Sequence, residues 1–456
     1  MPENTGSERL LTVGWKARAL ARRGRRLIKG GSPMTSVAAF APVRKSGMTK
    51  LIVATSIGNA LEWYDILIYG FFALPISKAF FWSQDVTVSL LLALGTFAIS
   101  YLVRPLGAIV LGVYADRHGR RASMLVSLVL MVLGTSMITF MPTYATIGVA
   151  APIGILAARL IQGFSAGGEF GSSTAYLVDQ APDRRGFVSS WQASSQGVSA
   201  LLASGFGVLI STQFTPDQVQ AFAWRFAFAF GILIGPVGLY IRRNLAETPL
   251  PAAVSHRSPA ALILAEQKTQ LALAIGCVAV SSSVNYFLVY APTFAVEHLG
   301  LPQAVSYGAA FIAALALIFV APVAGELSDR KGRVRIMAIC AGLLFVSLYP
   351  GFLILKQYPS AVPIIGVFLW LAVLKSSYFG VYPALLSELF PAETRATGLA
   401  ISYNIAVPVF GGFGPLVMEW LTQKLASPIA PSLWLTAVAI LSLVSIAIVR
   451  RLYGIR

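Results

Sequence analysis

The chain has 456 residues, of which 56% are hydrophobic and 12% charged, with a formal net charge of +17. Its mean hydropathy is +0.73. A soluble domain is usually ~45–50% apolar with roughly twice this charge, so one soluble domain is excluded and a membrane protein is the first reading.

Residues 1–49 stand apart as a basic tail expected to be disordered, with the cluster ARALARRGRRLIKGG at 17–31. GRRLIK loosely resembles a twin-arginine signal, but the apolar segment after it, TSVAAFA, is short. Met34 or Met48 is an alternative initiator.

Apolar runs long enough to cross a hydrocarbon layer of about 30 Å follow at roughly 51–74, 87–113, 122–141, 147–179, 188–213 and 222–241. A second set lies near 270–296, 303–327, 335–356, 361–387, 397–424 and 431–449. The expected fold is therefore all-α with twelve transmembrane helices. Lys and Arg set the orientation. With both termini cytoplasmic, the inward loops hold Arg117, Arg120, Arg121, Arg184, Arg185, Arg242, Arg243, Arg330, Lys331, Arg333 and Arg395, against Lys78, Lys356 and Lys424 in the outward ones.

Basic residues that flank helices are not gathered on one face, which argues against nucleic acid as a partner. Cys277 and Cys340 fall singly inside spans, which argues against a disulfide framework or a metal site. The histidines are His118, His256 and His298, and no HExxH occurs; a membrane enzyme lacks its signatures here, and a sensor lacks an effector domain. No cofactor and no obligate protein partner are expected.

The loop between spans two and three reads GVYADRHGRR, and that between spans eight and nine GELSDRKGRV. Gly112 and Gly325, Asp116 and Asp329, Arg117 and Arg330, Gly119 and Gly332, and Arg120 and Arg333 match at one offset of 213 residues. After spans four and ten, Asp179 and Glu388 each precede a proline by three. The chain is thus a duplicated six-helix unit: bundles at 50–243 and 270–456, a cytoplasmic linker at 244–269, and a parallel repeat about the membrane normal. Within the linker, LILAEQK suits a short surface helix. Each Gly-x-x-x-Asp-Arg-x-Gly-Arg turn offers a carboxylate to a helix N-terminus and arginines to acids on other helices, so these residues, with Asp179, Glu388 and Arg395, are the candidate cytoplasmic gate.

The paired motif resembles the loop signature of the major facilitator superfamily. GNALEWYDILIYG at 58–70, RLIQGFSAGGEFG at 159–171, WRFAFAFG at 224–231, RRNLAETP at 242–249 and ELFPAETRATGLAISYN at 388–404 resemble its metabolite:proton symporter branch. The resemblance implies alternating access around a central cavity lined by helices one, four, seven and ten, driven by the proton gradient. Substrates in this branch include tricarboxylates, dicarboxylates, α-ketoglutarate, shikimate, proline and betaine. Osmosensing members carry a long C-terminal coiled coil, and this chain stops at Arg456, which argues against that type.

The residues point to the same cavity. An ionisable group at the bilayer centre costs about 2.5–3.5 kcal/mol on insertion scales, so Glu62 and Asp65 must face protein or water; Asn59 and Tyr69 share their helical face. On span four, packing explains the glycines but not Arg159, Gln162 or Glu169. Arg104 on span two either pairs with Glu62 or Asp65 or meets substrate, while Arg225 reads as structural. Tyr286 and Tyr290 on span seven, and Lys375, Tyr378 and Tyr382 on span ten, repeat at helical spacing. Lys375, so deep in an apolar span, requires an anionic partner or loss of its proton. Arg104, Arg159 and Lys375 suit a small carboxylate substrate, and Glu62, Asp65 and Glu169 are the candidate proton carriers. The expectation is an inner-membrane symporter for a di- or tricarboxylate such as citrate, tricarballylate or α-ketoglutarate. A zwitterion such as proline or betaine, shikimate and an aromatic acid are the alternatives.

Overall fold

A computed structural model describes residues 45–118, 120–167, 169–244 and 259–455. The basic tail to residue 44, most of the linker and Gly119 lie outside the described residues, as do the side chains of Asp116, Arg117, Arg120 and Glu169.

The first half holds α1 (Lys45–Phe71), α2 (Val86–Leu102 with Arg104–His118), α3 (Arg120–Phe140), α4 (Ala150–Ser165 with Glu169–Gln180), α5 (Arg185–Gln213) and α6 (Arg225–Asn244). The second holds α7 (Lys268–Leu299), α8 (Gln303–Lys331), α9 (Arg333–Gln357), α10 (Ala361–Phe379 with Tyr382–Leu389), α11 (Arg395–Ala406 with Gly414–Leu425) and α12 (Ala430–Tyr453). These twelve passes follow the expected spans within several residues. Among the described residues, nine helices are long and apolar enough to cross a membrane. The other three passes are α1, α4 and α6, which carry Glu62 and Asp65, Arg159 and a break, and Arg225 respectively. Span four differs from the single run expected at 147–179: its helix stops at Ser165 and resumes at Glu169. LILAEQK is largely helical, within Pro259–Glu266.

The ends have local causes. Asp85 caps α2 by accepting from the Thr87 amide at 2.8 Å. Gly332, at φ +96°, makes the sharp turn between α8 and α9 that a side chain would resist. In α11, Pro408 starts a wide turn over Val407–Gly412, closed by Phe413 N donating to Pro408 O at 3.0 Å.

Pairing repeats between halves. In the first, α1 packs on α5, α2 and α3 on α4, and α3 on α6; in the second, α7 packs on α11, α8 and α9 on α10, and α9 on α12. The two bundles meet through α5 on α8 and, in the equivalent place, α2 on α11. Small residues allow the closest crossings. A Cβ on Gly107 would strike Phe164 O, one on Gly163 would strike Ser100 O, and one on Gly167 would strike Arg104 O. Backbone touches backbone along the α2–α4 seam, with no flexible neighbour to yield. Gly163→Val should therefore separate these helices at an overpacking cost of roughly 1–3 kcal/mol. It should lower the melting temperature of the detergent-purified protein by several degrees, whereas Gly95→Val, with open space at its Cβ, should leave it nearly unchanged.

Candidate functional site

The midsection of the first half is a polar chain crossing four helices. Arg159 on α4 is only 1% exposed. Its Nη1 donates to Gln162 Oε1 at 2.8 Å and its Nη2 to Ser100 Oγ on α2 at 3.0 Å. Gln162 Nε2 then donates to Thr135 Oγ1 on α3 at 2.9 Å. Thr135 and Arg159 both neighbour the buried carboxylate of Asp65 on α1. Behind that carboxylate lies Gly231 on α6, where a Cβ would stand 2.5 Å from Asp65 Oδ1.

Aromatic rings complete the Arg159 site. Its guanidinium carbon lies 4.6 Å from the Tyr69 ring centroid and 5.0 Å from that of Phe97; each such contact is worth roughly 0.5–2 kcal/mol depending on desolvation. Arg104 is buried as well, 4.2 Å from the Tyr101 centroid and 5.6 Å from that of Trp63. Tyr101 meets Tyr286 of α7 edge-on at 5.4 Å, joining the two halves at the centre. Tyr403 on α11 neighbours Arg104, Tyr101, Gln196 and Glu62, and Tyr382 on α10 stands beside it. The wide turn in α11 closes the site: Cβ atoms on Gly411 and Gly412 would stand 2.5 Å from the Tyr286 ring and 2.7 Å from the Tyr101 ring. Irregular membrane backbone is tolerated where protein covers it or where it lines a site.

Lys375 is 1% exposed, its Nζ lies 4.6 Å from the Phe379 centroid, and it has no hydrogen-bond partner among the described residues. Asp65 Oδ1, Arg104 Nε and Arg159 Nε share that condition. A buried polar atom left unpaired costs about 1–3 kcal/mol, more when charged.

The sequence-based candidates thus divide. Asp65, Tyr69, Arg159 and Gln162 form one network, and Glu62, Arg104, Tyr286 and Tyr382 gather around Tyr101 and Tyr403. Asn59 instead turns to α5, donating to Ser195 Oγ at 2.7 Å. Tyr378 donates to Cys277 O at 2.6 Å, and Tyr290 donates to Glu419. Arg225 donates to Met141 O at 2.8 Å, tying α6 to the segment after α3. Ser100, Thr135, Tyr101, Gly411 and Gly412 escaped the sequence reading, since hydroxyls, tyrosines and glycines in apolar spans look like packing.

The motif at the end of α8 joins the halves. Asp329 accepts from the amides of Gly186 and Phe187 at the start of α5, at 2.8 and 2.9 Å, and from Arg333 Nη2 at 3.0 Å. Arg333 also donates to Glu388, which lies 3.9 Å from Arg185. Arg395 pairs with Asp179, and Glu326 takes Arg184 at 2.5 Å and Arg330 at 2.7 Å. Gly325 and Gly186 lie back to back, each so close that a Cβ would stand 2.5 Å from the other's carbonyl oxygen. Glu326 is an addition to the expected gate. Of the first copy, Gly112 is exposed near the end of α2.

A duplicated twelve-pass bundle with charged side chains buried at its centre and an ionic latch across one end is the architecture of a membrane transporter. The chain belongs to the Major Facilitator Superfamily, whose sequence profile matches residues 55–415; it is a transporter and not an enzyme. It is 36% identical over 400 residues to the citrate-proton symporter of Klebsiella pneumoniae, covering 86% of this chain and 90% of that one. It is 32% identical over 421 residues to the proline/betaine transporter of Salmonella typhimurium, covering 87% and 82%. A solved D-xylose-proton symporter shares the fold, with a TM-score of 0.71 at 18% identity over 88% of this chain and 96% of that one.

The Asp329 contacts generate a prediction. Bonds to a charged group are worth about 1.5–3 kcal/mol each, so Asp329→Ala should release the start of α5. A cysteine introduced at Ser387 should then react with a water-soluble maleimide roughly tenfold faster, as expected for ~1.4 kcal/mol. Asp179→Ala, which removes a half-exposed pair, should change the rate much less.

Proposed function

We propose that this protein is a proton-coupled symporter that imports a small organic carboxylate, most specifically a tricarboxylate of the citrate type, across a bacterial inner membrane. One observation carries the reading: three buried cations, Arg104, Arg159 and Lys375, have unpaired nitrogens in a chain 36% identical to a citrate-proton symporter. Arginine forks suit carboxylates, and an ammonium supplies a further point charge. The latched end carries the basic loops and is the cytoplasmic one, with both termini on that side. Residues 50–243 and 270–456 are the halves that rock about the central site.

Asp65 is the proposed proton carrier. Its neighbour Arg159 is permanently charged, so protonating Asp65 removes a negative charge that competes with a carboxylate substrate for the guanidinium. Glu62, beside Tyr403, and Glu169 are the other candidate carriers. Binding substrate and proton together lets the halves reorient without an unpaired charge at the centre.

A zwitterion is the second reading, supported by the proline/betaine transporters among the relatives. The stacked pair Phe379–Tyr382, with centroids at 5.1 Å, could face a quaternary ammonium, but Lys375 over Phe379 opposes a cation there.

The test is uptake into proteoliposomes with an imposed pH gradient, the interior alkaline. Labelled citrate should accumulate and collapse with a protonophore, and tricarballylate should compete better than proline or betaine. Competition in the opposite order would replace the carboxylate reading with the zwitterion one. Uptake indifferent to the protonophore would sink proton coupling. Asp65→Asn should lose gradient-driven accumulation while retaining citrate exchange between equal pools.

A further inference from the structure

Glu419 lies on α11, six residues from its end, and is completely buried. Its carboxylate takes Tyr290 and His298 of α7 on Oε2, the latter at 2.8 Å, and Gln423 on Oε1 at 2.8 Å. Phe294 separates the two α7 residues, its ring 5.4 Å from that of His298 and 6.2 Å from that of Tyr290. A buried carboxylate is costly unless paired. Among the described residues the direct partners of Glu419 include no arginine or lysine. Glu297 stands near Tyr290 and adds a further negative charge, and Lys424 is turned onto the Trp420 ring at 4.9 Å.

This differs from the Asp65 site, where Arg159 supplies a fixed positive charge. In the Glu419 group the partners are instead a phenol, an imidazole and a side-chain amide, and the imidazole is the one among them that can bring a proton. The hydrogen bond between His298 Nε2 and Glu419 Oε2 is a place where one proton can be shared. The position is equally specific. Glu419 and His298 lie at the ends of α11 and α7 opposite the Asp329 latch, and the His298 side chain retains 13% exposure while Glu419 has none. The partly exposed imidazole lies at the end of α7, the fully buried carboxylate beside it, and Tyr290 continues along α7, one helical turn from Tyr286.

We propose that Glu419 and His298 form a second proton-binding site, loaded from the outer side, so that transport takes up one proton more than the Asp65 site alone can carry. The proposal rests on the proton-symport reading given above. Because both residues belong to the same half, the group does not latch the halves together. It senses instead how α7 and α11 separate: parting them exposes Glu419 to water, where the carboxylate is solvated and its proton can leave.

Reconstituted Glu419→Gln tests this, since the amide keeps the shape and the hydrogen-bonding reach of the side chain while removing the titration. Citrate exchange between equal pools should stay within about twofold of wild type. Proton uptake per citrate should fall by about one, and the limiting accumulation ratio should fall about tenfold per unit of pH gradient, the value of one coupled proton. Unchanged proton uptake per citrate in Glu419→Gln overturns the proposal and leaves the symport reading standing. A wild type that moves citrate without protons overturns the symport reading itself. Should Glu419→Gln fail to fold, His298→Gln serves: the proton is then held by Glu419 alone, and the pH of half-maximal uptake should move by about a unit, a tenfold change in proton concentration. An unmoved pH profile there also overturns the proposal.

Discussion

The cost of keeping charge away from water governs this molecule. A duplicated bundle of apolar helices supplies very little solvation at its centre, so every ionised group there must be paired, stacked on aromatic rings or held for a ligand. Arg159 meets the demand fully in part of its fork: two nitrogens bond Ser100 and Gln162, and two rings flank the plane. Arg104 relies on rings, and Lys375 has only the Phe379 face. Satisfaction declines from Arg159 to Arg104 to Lys375.

The latch follows different physics because it lies at the end of the bundle, where water competes. Exposed pairs such as Arg184–Glu326 contribute little individually. Asp329 is set apart by shelter and by its partners, two amides at a helix start and one arginine. The glycine pair at 186 and 325 permits the approach that brings those amides within reach. A ligand inverts a 99:1 population with about 5.5 kcal/mol of differential binding, comparable to a few charge-assisted bonds exchanged for others at the centre.

Much of this was legible in the sequence. Hydropathy located all twelve passes, and the repeated Asp-Arg-x-Gly-Arg turn identified both the duplication and the carboxylate that caps α5. Charge in an apolar span likewise exposed Asp65, Arg159 and Lys375. The same rule applies to Glu419, in GPLVMEWLTQK, which the sequence reading passed over; it lies near a span end, where an acid can reach water. Directions within a helix were less legible. Asn59 shares a face with Asp65 by spacing yet turns to Ser195, because α5 packs directly on that part of α1. The break in α11 was hidden for another reason: VPVFGGFG reads as a packing stretch until Tyr101 and Tyr286 are seen to need the space left by Gly411 and Gly412.

Duplication and specialisation have separated within one chain. The helix pairings are the same in both halves, which suits two bodies that must rock against each other about a shared axis. The chemistry inside them is not the same. In the first half the buried acid, Asp65, has a fixed cation, Arg159, for a neighbour. In the second half the buried acid, Glu419, bonds a tyrosine, a histidine and a glutamine instead. Symmetric packing thus carries asymmetric buried charge, and the tyrosine contact between 101 and 286 is one place where the two halves meet.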